Sequence, residues 1–229
     1  MKRTIFILTA ISAAVLAPAV HAAERVPASF PAAGELTVEA VTVRSRPSYD
    51  GRRVAVLREF RRDYRPQVVL ATGTARDAQR RLWLRVPLQL RPNGTVGWIP
   101  ASAAALRPMR ERIVVDRSAR TIDLFRDGHV LLHARVAVGA PGWETPLGQF
   151  YVTARFVPDD PFLGVFAFET SAYSKLTDWP GGGIVGIHGT SAPQLIGQAI
   201  SHGCVRVTNR TARQLQRHVK AGTPISIVP

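Results

Sequence analysis

The chain is poor in cysteine, lysine and acid. Cys204 is the one cysteine in 229 residues, so no intrachain disulfide can form and stability must come from packing. Paired-cysteine metal motifs of the CxxC kind are excluded with it. Lysine is confined to Lys2, Lys175 and Lys220, and the other basic residues are arginines. Asp and Glu number 16 against 30 Lys and Arg, a formal net charge of +14. Long hydrophobic runs are also missing beyond the N-terminus, which leaves nothing of the roughly 20 apolar residues that a bilayer-spanning helix needs.

What is present at the N-terminus is a short basic start, MKRT, an apolar run, IFILTAISAAVLA, and small residues suited to cleavage after Ala22. This is the layout of a secretory signal peptide over 1–22. No cysteine lies near the cleavage point to carry a lipid. An exported protein with no transmembrane segment after signal removal is expected, placed in the periplasm or cell wall. The positive charge is uneven, +2 over 1–32, +8 over 33–107 and +4 over 108–229. A field of that sign favours polyanions, and export makes anionic cell-wall polymers the expected partner, with no nucleic acid.

Residues 23–34, rich in Ala and Pro, read as a linker. From 35 to 107 the chain has short alternating runs, LTVEAVTV, RVAVLREF, VVLATG, LWLRVPL and TVGWIPAS, with Asn93-Gly94 marking a hairpin. That predicts a small β-barrel, and VTVRSRPS with GWIPAS resembles bacterial SH3-like domains. Residues 110–229 predict a second, mostly β unit. IVVDRSARTIDLFRDGHVLLHARVAVG gives three strands broken at two turns, TPLGQFYVTARF and IVGIHG give two more, and ISIV closes the unit. One helix is expected after SHGCVRV, capped by Thr208 or Asn209, with Ala212, Leu215 and Val219 on its buried face and Gly222 ending it. A second short helix is expected near Ser191 and Pro193.

The stretch SHGCVRVTN, residues 201–209, surrounds the lone cysteine with polar neighbours. If 202–207 is extended, His202, Cys204 and Arg206 share one face while Val205 and Val207 face the core. Positive neighbours then lower the thiol pKa and make the sulfur nucleophilic. His188 lies upstream, and a short connection between two strand ends would bring it beside Cys204 as a base. Zinc held by His188, His202 and Cys204 is the competing arrangement, but no HxxxH and no nearby acid supports it. No metal and no cofactor are expected.

IHG, a spacer and SHGCVRVTN together resemble the signature of the L,D-transpeptidase catalytic domain, the YkuD family. IDLFRDGHV, VAVGAPGWETPLGQF and LTDWPGGGIVGIHGTS are similar to the family's pattern as well, over roughly 110–229. The resemblance implies a β-sandwich-like catalytic domain that cross-links peptidoglycan stem peptides through a cysteine acyl-enzyme, releasing terminal D-alanine. It implies Cys204 as nucleophile, His188 as base and later acid, and the Gly189 carbonyl as the group that orients the imidazole. The backbone N–H groups of His202, Gly203 and Cys204 would form an oxyanion hole. Ser201, Arg206 and Asn209 complete the motif at the substrate, with Tyr173 and Trp179 lining the groove. Penem β-lactams are the implied inhibitors. Leu147 in TPLG departs from the small or polar residue that members often carry. An L,D-carboxypeptidase, another cysteine hydrolase of wall peptides and an inactive wall-binding protein are the competing readings.

Overall fold

Alternating apolar and polar residues produce strands along most of the chain, and the computed structural model describes residues 27, 29–178 and 181–229. The expected signal peptide and, of the expected linker, residues 23–26 and Ala28 lie outside the described residues. Among the described residues, no helix is long and apolar enough to cross a membrane.

The first unit contains β1 (Ala32–Leu36), β2 (Ala40–Arg44), β3 (Arg53–Arg58), β4 (Val68–Ala71), β5 (Gly73–Arg76), β6 (Leu82–Pro87), β7 (Val96–Pro100) and β8 (Ala104–Pro108). They form two antiparallel sheets, β4-β1-β8 and β3-β2-β7-β6-β5. Val43, Leu84, Val86 and Ile99 fill the space between them with no exposed surface. Two boundaries differ from the sequence expectation. LTVEAVTV is not one strand: it breaks at Thr37–Glu39, where the Thr37 N–H turns to the Ala103 carbonyl at 3.0 Å. β1 also begins inside the expected linker. A Cβ on Gly34 would lie 1.7 Å from the Ala105 carbonyl oxygen, so the small residues that resemble a linker are what let β1 press against β8.

The second unit contains β9 (Glu111–Asp116), β10 (Thr121–Arg126), β11 (His129–Arg135), β12 (Val138–Gly139), β13 (Gly148–Phe156), β14 (Ala167–Tyr173), β15 (Ile184–His188), β16 (Ala199–Ser201), β17 (Val205–Arg206) and β18 (Pro224–Val228). Eight of these make one sheet in the order β11-β10-β9-β18-β13-β14-β15-β17. β18 lies parallel to β9 and antiparallel to β13. Helix α1 (Asn209–His218) is capped by Thr208, whose Oγ accepts from the Thr211 N–H at 3.1 Å. Its apolar face buries Ala212 and Leu215, with Val219 just beyond, in the same core as Ile113, Leu124, Phe168 and Ile187. Burying one such leucine contributes about 2 kcal/mol. The expected second helix is a single 3₁₀ turn, Pro193–Leu195.

β14 has no clear alternation in its sequence, AFETSAY, because it is buried on both faces. Phe168 and Ala172 enter the core, while Ser171 accepts from the Tyr151 N–H at 3.1 Å on the other side. The first unit covers that side. Ala33, Val68 and Leu70 pack on Tyr151, Arg61 pairs with Glu169 at 2.6 Å, and Gln89 donates to the Glu169 carboxylate and the Thr170 carbonyl.

Candidate active site

β15 and β17 run parallel, with Ile187 opposite Val205 and His188 opposite Arg206. One step back in that register, Cys204 lies abreast of Gly186. The Gly186 N–H donates to Cys204 Sγ at 3.3 Å. A Cβ on Gly186 would sit 3.9 Å from Sγ and 3.7 Å from His188 Cδ2, so thiol and imidazole share the space above one glycine. His188 and Gly186 occupy the same face because side chains alternate along a strand.

His188 is 3% exposed, and its Nδ1 lies 2.6 Å from the Gly189 carbonyl. A carbonyl only accepts, so Nδ1 carries the proton and Nε2, bonded to the Cδ2 that faces Gly186, holds a free pair. Gly189 thus orients the ring. The carbonyl is held from behind by Asn209, at the start of α1. Asn209 Oδ1 accepts from the Val165 N–H at 3.1 Å and the Thr190 N–H at 3.2 Å. A Cβ on Gly189 would fall 2.3 Å from that oxygen, which is why only glycine fits beneath it. The Asn209 amide oxygen therefore works on the backbone of the site, whereas the sequence motif placed this residue at the substrate.

Residues 202–207 are not extended as a unit. Ser201 ends β16, the chain turns through His202 and Gly203, and only Val205–Arg206 is strand. Gly203 has φ +117° and packs so closely that a Cβ would lie 2.8 Å from the Ser174 Cβ. Ser201 has no exposed surface. Its hydroxyl donates to the Cys204 carbonyl at 2.6 Å and accepts from the Gly203 N–H at 3.1 Å. Expected as a substrate contact, Ser201 instead ties the turn that presents the sulfur. The Gly203 N–H, expected in an oxyanion hole, is engaged by that hydroxyl.

The electrostatics differ from the sequence expectation too. Burial pushes the Cys204 thiol above its ordinary value, and the Gly186 N–H and the Arg206 charge offset this only in part. Burial likewise holds the His188 imidazole down to about 4; backbone hydrogen bonding to Gly189 and, more weakly, Leu163 pulls it up, and the Arg206 charge pushes it further down. Both shifts favour the uncharged forms, a thiol beside a neutral imidazole. Arg206 is itself 8% exposed. Its guanidinium stands 4.5 Å over the Phe162 ring, and among the described residues its buried Nε has no hydrogen-bond partner.

His202 stacks on Trp143 with ring centroids 4.5 Å apart. Trp143 belongs to the turn after β12, whose Glu144 reaches across to Lys175 at 2.8 Å. A groove of about 330 Å³ opens there, between Arg117, Glu144 and Pro146 on one side and Tyr173, Ser174 and Lys175 on the other. Tyr173 is half-buried at its edge, beneath the Arg91 guanidinium at 4.6 Å. Trp179 lies outside the described residues. Gly186, Trp143 and Ser174 lie at the site yet were not singled out in the sequence. The glycine two residues before His188, on the same strand face, was the available signal.

A lone thiol and an oriented imidazole over a shared glycine make an arrangement suited to a nucleophile and its base. Residues 110–227 match the L,D-transpeptidase catalytic domain, YkuD, and the chain belongs to this family. It is 31% identical over 150 residues to an L,D-transpeptidase YkuD of Bacillus licheniformis, covering 62% of this chain and 84% of that protein. With the Bacillus subtilis L,D-transpeptidase YkuD it shares 34% over 116 residues, 50% of this chain and 64% of that one. L,D-transpeptidase 3 from Mycobacterium tuberculosis, solved in complex with a faropenem-derived adduct, superposes with a TM-score of 0.46 at 15% identity, over 71% of this chain and 91% of that one.

Proposed function

We propose that this chain is an exported peptidoglycan L,D-transpeptidase acting through a Cys204 acyl-enzyme. The observation that carries the reading is the placement of Cys204 Sγ and His188 on one glycine, Gly186, with the imidazole Nδ1 committed to the Gly189 carbonyl. Family membership supplies the substrate class, a tetrapeptide stem.

In the donor half, Nε2 takes the thiol proton as Sγ attacks the carbonyl of the third stem residue. The carbon–nitrogen bond to D-alanine breaks, and the imidazolium returns the proton to the leaving amine. In the acceptor half, an amine from a second stem attacks the thioester and Nε2 takes its proton. The carbon–sulfur bond breaks, and the proton goes back to sulfur. A neutral resting pair suits this cycle, since the imidazole must be unprotonated to begin it. The Cys204 N–H, next to the attacked carbon, is the donor for the developing oxyanion. The Arg206 charge favours the thiolate that forms as the proton leaves, and Tyr173 borders the groove that takes the stem. No metal or cofactor enters.

The first unit is read as an SH3-like domain whose excess positive charge holds the enzyme on anionic wall polymer. If water replaces the acceptor amine, the same acyl-enzyme gives an L,D-carboxypeptidase. Purified disaccharide-tetrapeptide incubated with the protein and with Cys204→Ala decides. Cross-linked dimers and free D-alanine, both lost in the variant, are expected. Tripeptide monomer alone would identify the carboxypeptidase, and no Cys204-dependent product would reject both.

A further inference from the structure

The β6–β7 hairpin of the first unit does more than touch the second. Arg91 Nη1 donates to the Ser174 carbonyl at 2.7 Å, and Nη2 donates to those of Leu176 at 2.7 Å and Gly182 at 3.1 Å. One guanidinium thus gathers both ends of the loop that joins β14 to β15. Asn93 adds a reciprocal pair to the residue before that loop, donating to the Tyr173 carbonyl at 2.8 Å and accepting the Tyr173 N–H at 2.9 Å. Within the loop, the Ser174 N–H reaches the Gly183 carbonyl at 2.8 Å, so the two ends are closed on each other as well as on Arg91. A guanidinium is suited to this role because its donors are fixed in one plane.

The far side of the same loop bears on the nucleophile. Ser174 packs on Gly203, the residue before Cys204, and Lys175 bridges the groove to Glu144, beside the Trp143 that stacks on His202. From hairpin to sulfur the path is Arg91, Ser174, Gly203, Cys204, each touching the next or bonded to it.

We infer that Arg91 and Asn93 are positioning residues for the active site, so that the wall of the groove and the seat of the Cys204 turn are complete only when the first unit is docked. Arg91 contributes no chemistry. It fixes residues 174–176 and 182–183 at the two ends of the loop, and Ser174 seats the turn. For its acylation readout this inference rests on the proposed function; its other two readouts do not.

The test compares full-length Arg91→Ala, Asn93→Ala and the double variant with wild type by hydrogen exchange, by iodoacetamide alkylation of Cys204 and by faropenem acylation. Cys204 is the sole thiol, so alkylation reports one site. Exchange should rise about tenfold or more in peptides covering 174–183 and 201–204, with β9, β10 and β18 unchanged. Alkylation should accelerate as Ser174 lifts from Gly203, while acylation, which needs the ordered groove, should slow about tenfold. Arg91→Lys, which keeps the charge but cannot span three carbonyls, should resemble Arg91→Ala. Unchanged exchange in 174–183 would overturn the inference. So would a loosened loop that leaves alkylation unaltered, because the loop would then not seat the turn. Should wild type itself resist faropenem, the proposed function is at fault, and exchange with alkylation still decides the role of Arg91.

Discussion

The Gly186 amide lies 3.3 Å from the Cys204 sulfur, one residue before the point where β15 and β17 begin to pair. The absent side chain of Gly186 leaves the space that sulfur and His188 share. An alanine there would meet only ordinary contacts, the nearest being the Phe168 carbonyl at 3.4 Å. Gly186→Ala should therefore fold, with a stability loss of about 1 kcal/mol. Its methyl would stand between thiol and imidazole, and faropenem acylation should fall about a hundredfold. Near-wild-type acylation, measured by intact mass against time, would remove Gly186 from the site.

The neutral pair has a pH signature. With His188 held near 4, acylation should rise through an acid limb around that pH and stay level across neutrality. The resting enzyme should show no thiolate absorbance at pH 7, because burial keeps the Cys204 proton in place. Strong thiolate absorbance would mean an ion pair and a different first step.

Stability follows from the same burial. The unfolded chain protonates His188 near its ordinary value of about 6.5, whereas the folded chain does so only near 4. Between these values the unfolded state binds more protons, so stability falls as pH drops from about 6.5 to about 4, by on the order of 3 kcal/mol. Denaturant titrations of wild type and His188→Asn should diverge over that window. Parallel curves would show that the imidazole is not buried neutral.

Asn209 acts at one remove. Asn209→Ala leaves the Val165 and Thr190 N–H groups unpaired, a loss of about 1–3 kcal/mol. It also frees the Gly189 carbonyl that aims His188. Acylation should slow more than the stability loss alone explains at a temperature where the variant is fully folded. Unaltered kinetics in the folded variant would make Asn209 purely structural.

Ser201→Ala makes the matching change on the sulfur side. Loss of the hydroxyl that joins the Gly203 N–H to the Cys204 carbonyl should cost about 1–3 kcal/mol and slow acylation, with the groove intact. A variant of normal rate would show that the turn is held well enough by Ser174.

Much of this was legible in the sequence, for physical reasons. Cys204 and His188 stand out because a lone thiol and an imidazole among glycines have few structural roles, and Ala212, Leu215 and Val219 mark a helix by period alone. β14 was not legible, since its apolar faces are covered from both sides and alternation disappears. The sequence also misjudged the thiol. It shows that Arg206 is near, yet not that burial outweighs its charge. Ser201 and Asn209 read as substrate contacts because polarity is visible in sequence, whereas the inward direction of a side chain is not. The docking of Arg91 across more than eighty residues left no local trace.

β18 joins two halves of the catalytic sheet, the β9–β11 meander on one side and the site-bearing strands from β13 onward on the other. Residues 224–228 are synthesised after every other strand in that sheet. Without them, the meander and the strands beneath Cys204 have no shared edge, and β13 keeps only β14 of its two antiparallel partners. The meander and the site-bearing half therefore become one sheet only when its last strand in chain order, β18, docks between β9 and β13.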